Sequence, residues 1–190
     1  MRNFILAMIL LLLTACVSMP APTYQPAVAN TQVLMHGDRS TISLGEFGAA
    51  QGVENTTLSV RGSSLGGGSD GTFSTYIHDA LQAELQAAGR YDPAASSRLS
   101  GTLIENKLDG GSTRTGTASL SAHFILTRQQ TPVYGKTLAI KHQWDSSFMG
   151  AIAIPAAMNN YATAVQKLIG QLFADPDFVQ ASGGGVAVAP

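Results

Sequence analysis

A chain of 190 residues with 11 Lys and Arg against 12 Asp and Glu, formal net charge −1, is long enough for one ordinary domain. So even a balance leaves no electrostatic footprint for nucleic acid, and a single cysteine excludes a disulfide within the chain. Only 12% of residues are charged, and Gly, Ala, Ser and Thr are plentiful, which suits a sheet protein built from small residues.

The chain opens on one positive charge, Arg2, followed by ten apolar residues from Phe4 to Leu13 and a small-residue pair, Thr14-Ala15. Charge, apolar run and small-residue site are the three parts of a secretory signal. The run falls well short of the roughly 20 residues that span a bilayer. Leu13-Thr14-Ala15-Cys16 resembles the lipobox of bacterial lipoproteins. That resemblance implies a diacylglyceryl group on the Cys16 thiol, cleavage before Cys16, and an acylated new amino terminus. Several acyl chains hold a soluble domain at a membrane far better than one does. Val17 rather than Asp follows the cysteine, which by the same resemblance favours sorting to the outer membrane, periplasmic face. Removing residues 1–15 takes Arg2 away, so 11 basic residues become 10 against 12 acidic ones, a net charge of −2.

Residues 16–30 read as a lipidated tether, because Pro20, Pro22 and Pro26 lie among Ala, Thr and Gln. The domain is expected over residues 31–180, and residues 181–190, with three glycines in a row, as a disordered tail. Residues 32–35 and 41–44 are short candidate strands. Leu58 and Val60 alternate with Ser59 and Arg61. A helix is expected over residues 73–88, where Phe73, Tyr76, Ile77, Ala80, Leu81, Leu85 and Ala88 recur at helical spacing, capped by Asp70 or Thr72 and ended by Gly89. Leu99, Gly101 and Leu103 alternate with polar residues, as do Leu120, Ala122, Phe124 and Leu126, and then Leu138, Ile140 and Trp144. A hairpin joins the last two runs across residues 128–132. A second helix is expected to begin at Pro155, with Met158, Tyr161, Ala162, Val165, Leu168, Ile169 and Leu172 on one face and Asp175-Pro176 as its stop. The order predicts an α+β domain: a mainly antiparallel sheet with two amphipathic helices on one face.

With the lipobox, this layout is similar to the lipopolysaccharide-assembly lipoprotein and to the auxiliary lipoproteins of lipid-related ABC transporters. The resemblance is carried by the element order over residues 57–173. It is also carried by Phe73-Ser74-Thr75-Tyr76 opening a helix that ends in Ala88-Gly89-Arg90, and by Asp145-Ser146-Ser147-Phe148 between the last strand and last helix. The match is one of layout; the anchor, the tether and the lack of an assembled catalytic constellation in the sequence point to a non-enzymatic binding or assembly accessory of the envelope.

Four local patterns suggest chemistry. Gly66, Gly68 and Gly71 satisfy G-x-G-x-x-G, but Glu105 lies too far along to be the acidic partner of a dinucleotide fold, so a flexible glycine linker is expected. Gly62-Ser63-Ser64-Leu65-Gly66 satisfies G-x-S-x-G, which makes Ser64 the nucleophile of an alternative reading as an envelope hydrolase. Gly135-Lys136-Thr137 ends like a phosphate loop, but Gln130 stands where its first glycine belongs. His36, His78, His123 and His142 show no paired metal spacing, and neither a cofactor nor a metal is expected. Trp144, Phe148 and Met149, before the run Ala151-Ile152-Ala153-Ile154, are either core or an apolar lip for a lipid or protein partner. The Ser100, Thr102, Ser119 and Ser121 face is a second, weaker docking candidate. Beside the binding accessory and the hydrolase stands a third reading, a purely structural lipoprotein.

Overall fold

Three long runs of period-two alternation build the main sheet. The computed structural model describes residues 18–36, 40–111 and 114–183, so the signal segment, Cys16 and the end of the expected tail lie outside the described residues. Strands β5 (Ser97–Asp109), β6 (Thr115–Arg128) and β7 (Thr131–Asp145) form an antiparallel meander, and β2 (Ser43–Ala49) joins parallel to β5 at its edge. Leu99, Gly101 and Leu103 stand opposite Leu126, Phe124 and Ala122, and the latter two strands pair Ala122 with Leu138 and Leu126 with Tyr134. All of these are buried. A bulge between Leu103 and Glu105 reverses the alternation, so Asn106 and Leu108 turn inward where even positions had faced out. The β6–β7 connection is two residues, Gln129 and Gln130, both with positive φ (48° and 69°), as a tight hairpin turn requires. Pro132 is tolerated because β7 is an edge strand.

Helix α2 (Phe73–Ala87) packs on β2 and β5, and helix α3 (Gly150–Ala174) on β6 and β7. They share the sheet face that carries Leu99, Phe124 and Leu138, giving the expected α+β architecture with both helices on one side. A smaller sheet of β3 (Thr57–Val60), β4 (Ser63–Gly66) and β1 (Ser18–Pro20) closes the core with Leu58, Val60 and Leu65. The β3–β4 turn places Arg61 and Gly62 at positive φ.

Several expectations are corrected. Within the expected tether of residues 16–30, the described part, residues 18–30, is not a coreless spacer: Ser18–Pro20 pairs with Ser64–Gly66, and Tyr24 is buried. Residues 32–35 are not a strand but the end of helix α1 (Val28–His36), whose Asn30 and Leu34, four apart, both turn into the body. The candidate strand at residues 41–44 begins late, at Ser43, with Ile42 held only by a bridge to Tyr91. Helix α3 starts at Gly150, not Pro155, and carries the proline in its interior. The chain is also still helical at residues 181–182, in α4 (Pro176–Ser182), which turns Phe178 into the core.

What holds the leading segment is one carboxylate. Glu84, fully buried on α2, accepts through Oε1 from the Tyr24 hydroxyl at 2.7 Å, the Ala27 amide at 2.9 Å and Asn30 Nδ2 at 3.0 Å. Asn30 Nδ2 also reaches the Gln166 carbonyl of α3 at 3.0 Å, and Tyr76 donates to the Pro22 carbonyl at 2.9 Å. Burial, then the Glu84 hydrogen bond, push the Tyr24 hydroxyl far above its ordinary value, so it stays a donor. Segment 18–36 therefore fills the groove between α2 and α3.

At the other end of α3, Asp175 caps α4 through the Asp177 and Phe178 amides and pairs with Lys136 Nζ at 2.7 Å. The Lys136 ammonium holds its carboxyl below the usual carboxylate range.

Glu84→Ala removes the acceptor of three donors and should cost about 2 kcal/mol or more of stability in urea unfolding. It should also abolish hydrogen-exchange protection of the Ala27 amide, while amides in the β6–β7 meander stay protected.

Candidate functional site

The strands and both long helices define two ends. At the lower end lie the start of β1, the β3–β4 turn, the close of β7 and the first turn of α3. Ser18 neighbours Ser64 in register, and Ser63 pairs with Val60 just before the turn. Arg61, in that turn, spends its guanidinium on two carbonyls, Gly111 and Phe148, the latter from Nη1 at 3.0 Å. Ser146 adds its amide to the Arg114 carbonyl at 2.6 Å and its hydroxyl to the Gly110 carbonyl at 2.6 Å. The link between β7 and α3 is thus tied down at Ser146 and at the Phe148 carbonyl.

Those residues are apolar. Phe148 is 83% exposed, Met149 59% and Ile152 54%. Met149 and Ile152 sit three apart, across the N-cap and first turn of α3, and share a face. That turn is poorly held for a helix of 25 residues. Met149 offers no side-chain cap, and Pro155 has no amide to give the Ala151 carbonyl. Among the described residues no helix is long and apolar enough to cross a membrane.

The structure divides the aromatic patch expected from the sequence. Phe148 and Met149 are surface, but Trp144 is not: it is half-buried, packed against the core, lies over Gly116, and faces the His142 ring with centroids 5.8 Å apart. Trp144 continues the inward register of β7, in which His142 opposes Ala118. Sequence reasoning gave no site role of their own to Ile152, placed in the run beside Met149, or to Arg61. A helix begun at Pro155 leaves Ile152 in a loop, whereas one begun at Gly150 puts it beside Met149. Arg61 gave no local signal, since its partners lie 50 and 87 positions away.

The other patterns resolve into structure. Gly67 and Gly68 are not a flexible linker. A Cβ on Gly67 would collide with the Thr72 carbonyl group, and one on Gly68 would lie 2.7 Å from the Tyr76 nitrogen, so β4 passes directly under the first turn of α2. The first amides of α2 are already taken: Phe73 by the Asn55 carbonyl, Ser74 by Asn55 Oδ1, and Thr75 by Thr72 Oγ1. The Asp70 carboxylate stands before that turn, held below its ordinary range by hydrogen bonds from Thr72 and Thr75, where a bound phosphate would meet its charge.

Ser64 lies within a strand, between β1 and β3, and not on the strand-to-helix turn that a nucleophile elbow demands. The histidines are engaged elsewhere: His36 with the Gln32 carbonyl, His78 with Asp79, and His123 with Thr137. His142 Nε2 meets Asn160 Oδ1 at 2.8 Å, and its Nδ1 meets Lys167 Nζ at 2.9 Å. The ammonium can only donate, so Nδ1 accepts and Nε2 carries the proton. Ser100, Thr102 and Ser119 lie on the sheet face without helices, but Ser121 is largely covered.

No family model and no curated protein matches this chain. Among solved structures, a Xanthomonas campestris protein of the DUF330 family superposes with a TM-score of 0.59 at 11% identity, over 83% of this chain and 92% of that one. A candidate lipoprotein from Caulobacter crescentus superposes with a TM-score of 0.50 at 15% identity, over 82% of this chain and 99% of that one. At these identities the likeness is one of fold.

The division of the patch has a direct check in urea unfolding. Phe148→Ser should shift stability by no more than about 0.5 kcal/mol. Trp144→Ala should cost about 2 kcal/mol or more, because it empties space against the core.

Proposed function

We propose that this chain is a lipoprotein of the bacterial envelope, anchored through Cys16 at the periplasmic face of the outer membrane, whose domain acts by binding another envelope component rather than by catalysis. The observation that carries the reading is the position of the fold relative to the anchor motif. The first strand begins at Ser18, two residues after Cys16, and the end of the body where that strand begins displays Phe148, Met149 and Ile152 to solvent. A lipid anchor and an apolar surface on one end of a domain fit a protein that works where membrane and periplasm meet. The shared fold with a candidate lipoprotein is consistent with this reading.

Binding is favoured over hydrolysis by the setting of Ser64. Ser64 is in the middle strand of a small sheet rather than on a strand-to-helix turn, and His142 is committed to Asn160 and Lys167. The bare face of the main sheet and its long edge strand β7 are the surfaces on which an envelope protein would dock.

Intact mass spectrometry of the mature protein from envelopes should find Cys16 at the amino terminus, carrying acyl chains on sulfur and nitrogen. An unmodified thiol there defeats the anchor. Cross-linking in intact cells should then give one reproducible adduct. Only random adducts would return the protein to the purely structural reading.

A further inference from the structure

We infer, resting on the anchored reading above, that Phe148, Met149 and Ile152 form a foot that enters the headgroup layer of the bilayer and stands the domain upright on it.

The first argument is one of reach. One residue, Val17, separates Cys16 from Ser18, and an extended chain gains at most about 3.6 Å per residue step, so over two steps β1 begins within about 7 Å of the lipidated residue. The headgroup layer on each side of a bilayer is itself about 5–7 Å deep. A body tied so closely cannot stand clear of the membrane, and Glu84 prevents segment 18–36 from peeling off as a longer leash. The end of the body around Ser18 is therefore the end against the lipid.

The second argument is the chemistry of that end. From Ser18 the path to the foot crosses one strand pairing to Ser64, the short turn, and the Arg61 side chain that holds the Phe148 carbonyl. From Ser146 to Gln166 the chain has no Asp, Glu, Lys or Arg, so the foot can leave water without stripping a charge on its own element. Its three side chains are the most exposed large apolar groups among the described residues at this end of the domain. The N-cap of the turn that carries them makes no side-chain hydrogen bond, and Pro155 gives no amide to the Ala151 carbonyl, while Arg61 holds the Phe148 carbonyl. Aromatic and aliphatic side chains on a weak first turn suit the interfacial layer, where such groups settle at the boundary between headgroups and acyl chains.

Because lipidation consumes the only native cysteine, one introduced cysteine gives a single labelling site. The lipidated mature protein is purified as F148C, I152C or M35C, labelled with a polarity-sensitive dye, and reconstituted into phosphatidylethanolamine–phosphatidylglycerol vesicles containing nitroxide lipid. Met35 is exposed at the opposite end, beside Gly89 at the close of α2. The dye at 148 and 152 should shift to the blue and be quenched several-fold more than the dye at 35. Equal quenching at all three sites, or none at 148 and 152 while the protein still sediments with the vesicles, overturns the foot and leaves the anchor standing. Failure of the unlabelled protein to sediment with vesicles overturns the anchored reading and this inference with it.

Discussion

A single buried oxygen fixes how this domain is entered. Glu84 Oε1 collects three donors from a stretch 54 to 60 positions earlier in the chain. A carboxylate without partners would be costly at full burial, and a groove between two helices would stay open without something to fill it. Each problem solves the other. The leading segment brings the donors, the carboxylate brings the acceptor, and Asn30 extends the link to α3 through the Gln166 carbonyl. Ring contacts then join the parts into one packed unit, Tyr24 with Tyr76 and both Phe73 and Tyr76 with Tyr161. The direction of β1, and so the end from which the chain emerges, follows from that arrangement.

Close approach elsewhere depends on small side chains. Ala118 and Ala122 on the sheet and Ala153, Ala157 and Ala164 on α3 are all buried, and they let the helix lie near the strands. Phe47 fills the space that Gly101 leaves. The bulge after Leu103 serves the same packing. It turns Asn106 inward, where its amide donates to the Glu54 carbonyl at 2.7 Å and its Oδ1 accepts from the Tyr161 hydroxyl at 2.9 Å. Burial drives the Tyr161 hydroxyl well above its ordinary value, and Asn106 gives its proton a fixed destination.

Where neighbours along the chain decide the structure, the sequence was readable. Helix α2 announces itself through Phe73, Ile77, Leu81 and Leu85 and ends at Gly89, whose φ is 68°. The hairpin at residues 129–130 follows from two alternating runs meeting at a polar pair. Reading failed where partners lie far apart. Three prolines made residues 18–30 look like a spacer, because nothing nearby reports a carboxylate waiting at position 84. A clue was present in Glu84 itself, an acid set among Ala80, Leu81, Leu85 and Ala88 on an apolar stripe. Pro155 misled in the opposite way. It suits a first turn, which starts the expected helix there and leaves Ile152, in the apolar run before it, outside the helix. Gly67 and Gly68 looked loose because composition cannot show the helix turn pressed against them.

Helix α3 runs between the two ends without a break other than Pro155. At 1.5 Å per residue its 25 residues measure about 37 Å, and strand β7 packs against it. The corner formed by α4, clamped by Lys136 on Asp175 and by Arg128 on the Ala181 carbonyl, is thereby held at a set height above the first residue of β1. The distance between the two ends is therefore set by the length of one helix and not by the slack of a linker.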